Sequence, residues 1–237
     1  MWITLWMKKG LGWESKKNMK EQERLLLVNK QNGLKRIEVP KDLTIPKVMF
    51  AVEKENKKNP TLCFYQGEFG GIEGRFGKRY LRKEVAMALE RVFERGRKEC
   101  QYFAMISGYR SYDRQKELYE QSVRRNGIEH ASRYSAQAGY SEHQTGLAVD
   151  ISCETVQYQL DEIFELTKEY RWMVRNCWKE GFIIRYPKGK ESITGYGFEP
   201  WHLRYVGREE AEIIMHFQLT LEEFLLQYKN RRRRVNS

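Results

Sequence analysis

The chain has 237 residues, 41% hydrophobic and 13% aromatic, a globular composition long enough for one buried core. Its formal net charge is +11, but residues 1–79 carry +8, residues 229–237 carry +5, and the stretch between carries −2. Charge confined to the ends excludes a nucleic-acid reader, which sets its cations among aromatics on a recognition element, and no run approaches the roughly 18 apolar residues of a membrane span.

The opening Met1-Trp2-Ile3-Thr4-Leu5-Trp6-Met7 is apolar but too short for a signal-peptide core, and Lys8 and Lys9 follow it instead of preceding it. Either the protein works inside the cell or its true start lies upstream. The Gly-rich stretch 67–77 is no phosphate loop, because the GxxxxGK[ST] spacing fails and Arg79 stands where Ser or Thr is needed. It reads as a loop or hairpin at the rim of a cleft. Lys78 to Lys98 reads as a helix, with Leu81, Val85, Ala88, Leu89 and Val92 at helical spacing. Gln101 to Ile106 reads as a buried strand that delivers Ser107-Gly108-Tyr109-Arg110 at its end. Tyr112 to Arg125 is a second helix, capped by Ser111 and stopped by Gly127. Asp161 to Glu180 reads as helical, ending at Gly181. Phe182 to Tyr186 is a strand stopped by Pro187, and Arg208–Phe217 and Leu221–Tyr228 are short helices. Helices and strands without regular alternation argue for an α+β fold. The four cysteines (Cys63, Cys100, Cys153, Cys177) show no CxxC spacing and read as scattered, mostly buried thiols.

Two segments carry chemistry: Ser141-Glu142-His143-Gln144-Thr145-Gly146-Leu147-Ala148-Val149-Asp150, and Glu199-Pro200-Trp201-His202 about fifty residues later. They hold two of the four histidines (His130, His143, His202, His216), an aspartate and a further glutamate. That is the inventory of a catalytic zinc site: three protein ligands, an open position, and a carboxylate to move protons. A straight strand would separate His143 from Asp150 by about 23 Å. Two ligands of one ion must lie far closer, so the chain must fold back between them, and Gly146 permits the turn. Beyond it Leu147, Val149 and Ile151 face a core, while Ala148 and Asp150 face the other way. Pro200 favours extended chain at Glu199. Trp201, Leu203 and Tyr205 then share one strand face, and His202 and Arg204 the other.

SEHQTGLAVD and EPWHLRYVG, with SGYRSYDRQ upstream and GFIIRYPKGKESITGYGFEPWH between, resemble the VanY-type D-alanyl-D-alanine carboxypeptidases. These are zinc peptidases that trim bacterial wall peptides, and they include the LdcB/DacB L,D-carboxypeptidases and the VanXY enzymes. The resemblance covers roughly residues 25–228. It leaves 1–24 and the basic tail 229–237 outside, and the 51–78 connection looks long for the family.

The resemblance implies a small antiparallel sheet that carries the zinc site, packed with helices. It implies one zinc per chain on His143, Asp150 and His202, with Glu199 as the catalytic base. It places Arg110, Gln115, Ser141, Tyr186 and Trp201 around the substrate. Arg110 would meet a substrate carboxylate or polarised carbonyl, since a guanidinium offers fixed, permanently charged donors. The implied substrate is a peptidoglycan stem peptide or D-Ala-D-Ala-terminated precursor losing its C-terminal D-alanine, with L,D-carboxypeptidase and D,D-dipeptidase activity as variants. The alternative is a non-catalytic, zinc-bearing wall-binding or interaction module, for which a free carboxylate beside the metal has no use. The expected setting is the bacterial cell envelope, with the cytoplasm as alternative. The protein is expected to be a monomer whose basic ends make weak contact with anionic membrane or wall polymer.

Overall fold

The computed structural model describes residues 19–52, 61–64 and 74–235. Residues 1–18 and most of the Gly-rich stretch lie outside them. A six-stranded sheet runs in the order β3 (Thr61–Phe64), β2 (Met49–Val52), β5 (Ala104–Ser107), β6 (Ala148–Ser152), β8 (Glu199–Tyr205), β7 (Phe182–Tyr186). A separate antiparallel pair joins β1 (Leu43–Thr44) to β4 (Leu81–Arg82). The fold is α+β, as expected, but the sheet is not wholly antiparallel: β2 and β5 run parallel, with Phe50 opposite Met105. A parallel pair needs a crossover, and helix α1 (Lys83–Lys98) lies in the connection.

Helix α1 starts five residues later than the periodicity predicts. Before it, Gly74–Arg79 forms a 3-10 turn and Leu81–Arg82 is extended. The reason is long-range. Gly108 donates its N–H to the Lys78 carbonyl, Tyr109 to that of Tyr80, and Arg82 to that of Gly146. Those bonds draw residues 78–82 against the two turns that flank the functional site. From Val85 onward the expected face is buried, with Val85, Ala88, Leu89 and Val92 in the main core.

Helix α2 (Tyr112–Tyr134) opens with Ser111 accepting from the Arg114 N–H and breaks at Gly127, where φ is 81° and ψ 164°. A second helical piece, 128–134, follows the break. The region expected as one helix over 161–180 is a 3-10 turn (Glu162–Leu166), helix α3 (Lys168–Asn176) and a final 3-10 turn (Cys177–Glu180), closed by left-handed Gly181. Helices α4 (Arg208–His216) and α5 (Leu221–Val235) complete the chain.

The two sheet faces divide the work. Val149, Ile151, Phe182, Ile184, Trp201, Leu203 and Tyr205 enter the main core with α1 and α3. Ile183 points into a second cluster with Val206, Ala211, Ile214, Leu221 and Phe224. His202, Arg204, Asp150 and Arg185 occupy that opposite side by the two-residue period of their strands, and all are buried. Cys153 and Cys177 are buried free thiols, while Cys100 is an exposed one. No described helix is long and apolar enough to cross a membrane.

Candidate metal centre

Sheet register brings the site together. Asp150 in β6 stands directly opposite His202 in β8. His143 comes from the 3-10 turn Glu142–Thr145, whose end is Gly146 in the left-handed conformation (φ 66°, ψ 12°). The required fold-back therefore occurs at the expected residue. Ligand-capable atoms of His143, Asp150 and His202 all lie within 4.8 Å of one another. His143 Nε2 is 3.2 Å from Asp150 Oδ2, and His202 Nδ1 is 3.1 Å from Asp150 Oδ1.

These residues fit a zinc ion. Tetrahedral bonds of about 2.0–2.1 Å put neighbouring donor atoms roughly 3.3 Å apart, close to both separations. His143 Nδ1 lies 2.6 Å from the Gly108 carbonyl. A carbonyl only accepts, so Nδ1 carries the proton and Nε2 is left bare for a metal. Asp150 Oδ1 is buried with no hydrogen-bond partner, as is His202 Nε2, and a buried carboxylate oxygen in that state is what a cation satisfies. Gly108 must be glycine, because a Cβ there would run into the Tyr80 carbonyl and Met105.

Electrostatics follow from burial. For Asp150 burial acts upward, but His143 and His202 hold it well below the usual carboxylate range. Burial lowers His143. Burial also acts downward on His202, yet the adjacent carboxylates of Asp150, Glu142 and Glu199 outweigh it and raise the imidazole to about 9. Glu199, at the head of β8, is 6% exposed, with Oε2 3.5 Å from His202 Nδ1. Burial pushes its carboxyl up to about 8, against the pull of His202. A divalent cation would draw it back down.

Arg110 is anchored by its own peptide N–H to the His143 carbonyl. Its Nη1 donates to Gln115 Oε1 at 2.8 Å and its Nη2 to Ser107 Oγ at 3.0 Å, with Asp150 Oδ2 3.6 Å away. Gln115 was expected to offer substrate a hydrogen bond. It is 1% exposed, its oxygen is taken by Arg110, and its amide donates to the Ala136 carbonyl, so it braces Arg110 from behind.

A cleft of about 700 Å³ opens over the metal ligands, lined by Arg110, Ser141, Tyr186, Glu199 and Trp201 and, on its far wall, by His130, Tyr134 and Glu162. Trp201 packs in the core and also borders the cleft. A register shift in the β7–β8 pairing between Ile184 and Tyr186 turns Tyr186 toward the site, its ring centroid 4.9 Å from that of His202. The far wall is tied across: Tyr134 donates to Glu162 at 3.0 Å.

Sequence reasoning missed Glu142. It sits beneath the site, with Oε1 accepting from Arg185 and Arg204 and Oε2 3.7 Å from His202 Nε2. Burial opposes its charge, but the two guanidiniums hold its carboxyl far below the ordinary range. The available signals were its place directly before His143 and the two-residue spacing of His202 and Arg204.

A family model described as VanY, D-alanyl-D-alanine carboxypeptidase, matches residues 78–208. The chain is 44% identical over 205 residues to the putative carboxypeptidase YodJ of Bacillus subtilis (strain 168), covering 86% of this chain and 68% of YodJ. Its structure resembles that of the LdcB LD-carboxypeptidase, with a TM-score of 0.72 and 44% identity over 87% of this chain and 88% of the other. It also resembles the vancomycin-resistance D,D-pentapeptidase VanY from a VanB-type cassette, solved in complex with Zn(II). There the TM-score is 0.60 at 32% identity, over 86% of this chain and 99% of that one.

Proposed function

From a chain that belongs to the VanY D-alanyl-D-alanine carboxypeptidase family, we propose a zinc carboxypeptidase that removes the C-terminal D-alanine from peptidoglycan stem peptides or their precursors. Family membership decides for a peptidase over a non-catalytic binding module. The observation that carries the reading is Glu199, a buried carboxylate held beside a His–Asp–His cluster at the floor of an open cleft.

His143 Nε2, Asp150 and His202 Nδ1 would hold the ion. Zinc bound there supplies Lewis-acid polarisation of a carbonyl and acidifies a water toward a pKa of about 7. Glu199 takes the proton of the attacking water and passes it to the leaving amine. The water oxygen bonds to the scissile carbon and the C–N bond breaks, so that D-alanine departs with the protonated amine and the shortened peptide is released with a new C-terminal carboxylate. Arg110, braced by Gln115 and Ser107, presents guanidinium donors to substrate oxygens beside the metal. Ser141, Tyr186 and Trp201 form the near wall against which the terminal residue rests.

Incubating the zinc-loaded protein with D-Ala-D-Ala, a pentapeptide stem and a tetrapeptide stem tests the reading. Release of single D-alanine from a stem peptide is expected. Failure to release it from all three at saturating zinc would overturn the assignment. The wall-peptide substrate favours work in the bacterial envelope; we propose in addition a monomer whose basic ends make weak contact with anionic membrane or wall polymer. Fractionation that finds the full-length protein wholly in the cytosol would shift the role to precursors before export.

A further inference from the structure

Beneath the metal site lies a charged network that the proposed mechanism does not use. Arg185 and Arg204 are both 0% exposed. Glu142 Oε1 accepts from Arg185 Nε at 2.8 Å and from Arg204 Nη1 at 2.6 Å. Arg185 then turns its remaining two nitrogens on Glu222 of α5, at 2.9 and 2.7 Å, a bidentate pair. Arg204 Nη2 is held by the carbonyls of Arg24 and Leu26, and Asn29 donates to Glu222 at 3.2 Å. Glu142 is therefore fixed through one oxygen only. Its other oxygen, Oε2, is buried without a hydrogen-bond partner and points at His202 Nε2, an equally unpartnered atom 3.7 Å away.

Two buried arginines and two carboxylates are an expensive way to fill space, since a buried ion network seldom stabilises more than apolar side chains of equal volume. What the network does provide is one carboxylate oxygen at a fixed point behind a metal ligand. When His202 ligates through Nδ1, its proton must sit on Nε2, and Glu142 Oε2 is the acceptor aimed at that atom. The 3.7 Å gap is wider than a hydrogen bond, and a shift of roughly 0.7 Å would close it. His143 is fixed in the matching way by the Gly108 carbonyl, so each imidazole has its own acceptor.

We propose that Glu142 is a positioning residue for His202, selecting its Nε2–H tautomer and ring angle, and that Arg185 and Glu222 extend this restraint to the C-terminal helix. The inference rests on the zinc reading above and deepens it. Substrate plays no part, so the readouts are metal affinity and tautomer and not turnover.

The decisive variant is Glu142→Asp. It keeps a negative charge between the two arginines but withdraws the free oxygen from His202. Zinc affinity, measured on the full chain by competition with a chromogenic chelator, should fall by roughly 10- to 100-fold. The metal-free protein should also melt lower, because the shortened carboxylate recedes from Arg185 and Arg204 too, so zinc affinity is the discriminating readout. Glu222→Gln should weaken zinc binding less, by roughly 2- to 10-fold, because it acts through Arg185. The ¹⁵N shifts of His202 in the zinc-loaded wild type should report a protonated Nε2. A purely structural network predicts only the lower metal-free melting temperature, with zinc affinity within about twofold of wild type. That outcome overturns the proposal. If Glu142→Asp yields no folded protein, Glu222→Gln decides, and unchanged zinc affinity in it refutes the coupling. Failure of the wild type itself to bind zinc would instead sink the metal reading.

Discussion

Gly146 joins the turn bearing His143 to the strand bearing Asp150, and Gly146→Ala tests how tightly that junction is built. Its φ of 66° lies in the left-handed region, where an L-residue costs about 1–2 kcal/mol. A Cβ there would stand 3.0 Å from Arg82 Cγ and from Leu43 Cδ2, and 3.3 Å from Arg82 N. Arg82 cannot simply swing aside, because Asp42 and Glu23 hold its guanidinium at 2.8 and 2.7 Å. Such crowding adds roughly 1 kcal/mol, the low end for overpacking. The total of about 2–3 kcal/mol corresponds to a fall of roughly 5–10 °C in melting temperature for a chain of this size. Gly189→Ala is the control. Its φ is 79°, but nothing lies within 4 Å of a Cβ there, so only the backbone cost of about 1–2 kcal/mol applies. Melts of both variants, with and without zinc, read the difference directly. Zinc affinity should fall in Gly146→Ala and hold in Gly189→Ala. If the two melt together, crowding at the junction is not what fixes Gly146, and the reasoning fails.

Glu199→Gln should retain zinc and fold but lose activity by roughly 10² to 10⁴; near-normal turnover would mean the proton travels elsewhere. Arg110→Lys should be harmful despite keeping its charge, because an ammonium cannot hold Gln115 and Ser107 at once while still facing substrate. A substrate with an amidated C-terminus should not be cut, and cleavage at the free-acid rate would make this an endopeptidase. Glu180, 4% exposed, accepts from Arg91, Arg95 and Arg208. Those half-exposed partners limit the loss in Glu180→Gln to about 1–2 kcal/mol. Burial acts upward on Glu180, but the arginines outweigh it and lower its pKa. Its stabilisation is therefore complete above the unfolded value of about 4.3 and fades as pH falls through the lower folded one. The melting-temperature gap between wild type and variant should close on acidification from pH 7 toward 3, and a gap that stays constant contradicts this account.

Local patterns were readable where local forces decide. The alternation of Leu147, Val149 and Ile151, the strand Phe182–Tyr186, the Ser111 cap and the Gly127 break all appear at their expected residues. Each depends on one side chain's packing or one backbone angle. The misreadings share a different cause. Residues 78–82 leave the helix because carbonyls at Lys78, Tyr80 and Gly146 pair with chain that is distant or across a turn. The β2–β5 pairing is parallel because of a crossover no window can see. Tyr186 is no misreading, but only the resemblance set it at the cleft; the register shift that brings it there exists only against β8. Glu142 carries no local signal that sets its role. Its partners Arg185 and Arg204 lie 43 and 62 residues away, and no spacing rule links them.

The cross-strand position of Asp150 and His202 has a consequence for the life of the metal. Their separation is set by the hydrogen-bond ladder of the sheet's interior, with β5 and β7 closing either flank. The ion therefore does not assemble the fold around itself, as it does in small domains that are unfolded without zinc. It arrives at a finished socket. Exchange of the metal becomes a matter of side-chain motion and passage through the cleft, so the protein can be emptied and refilled without refolding. Chelation should silence it reversibly.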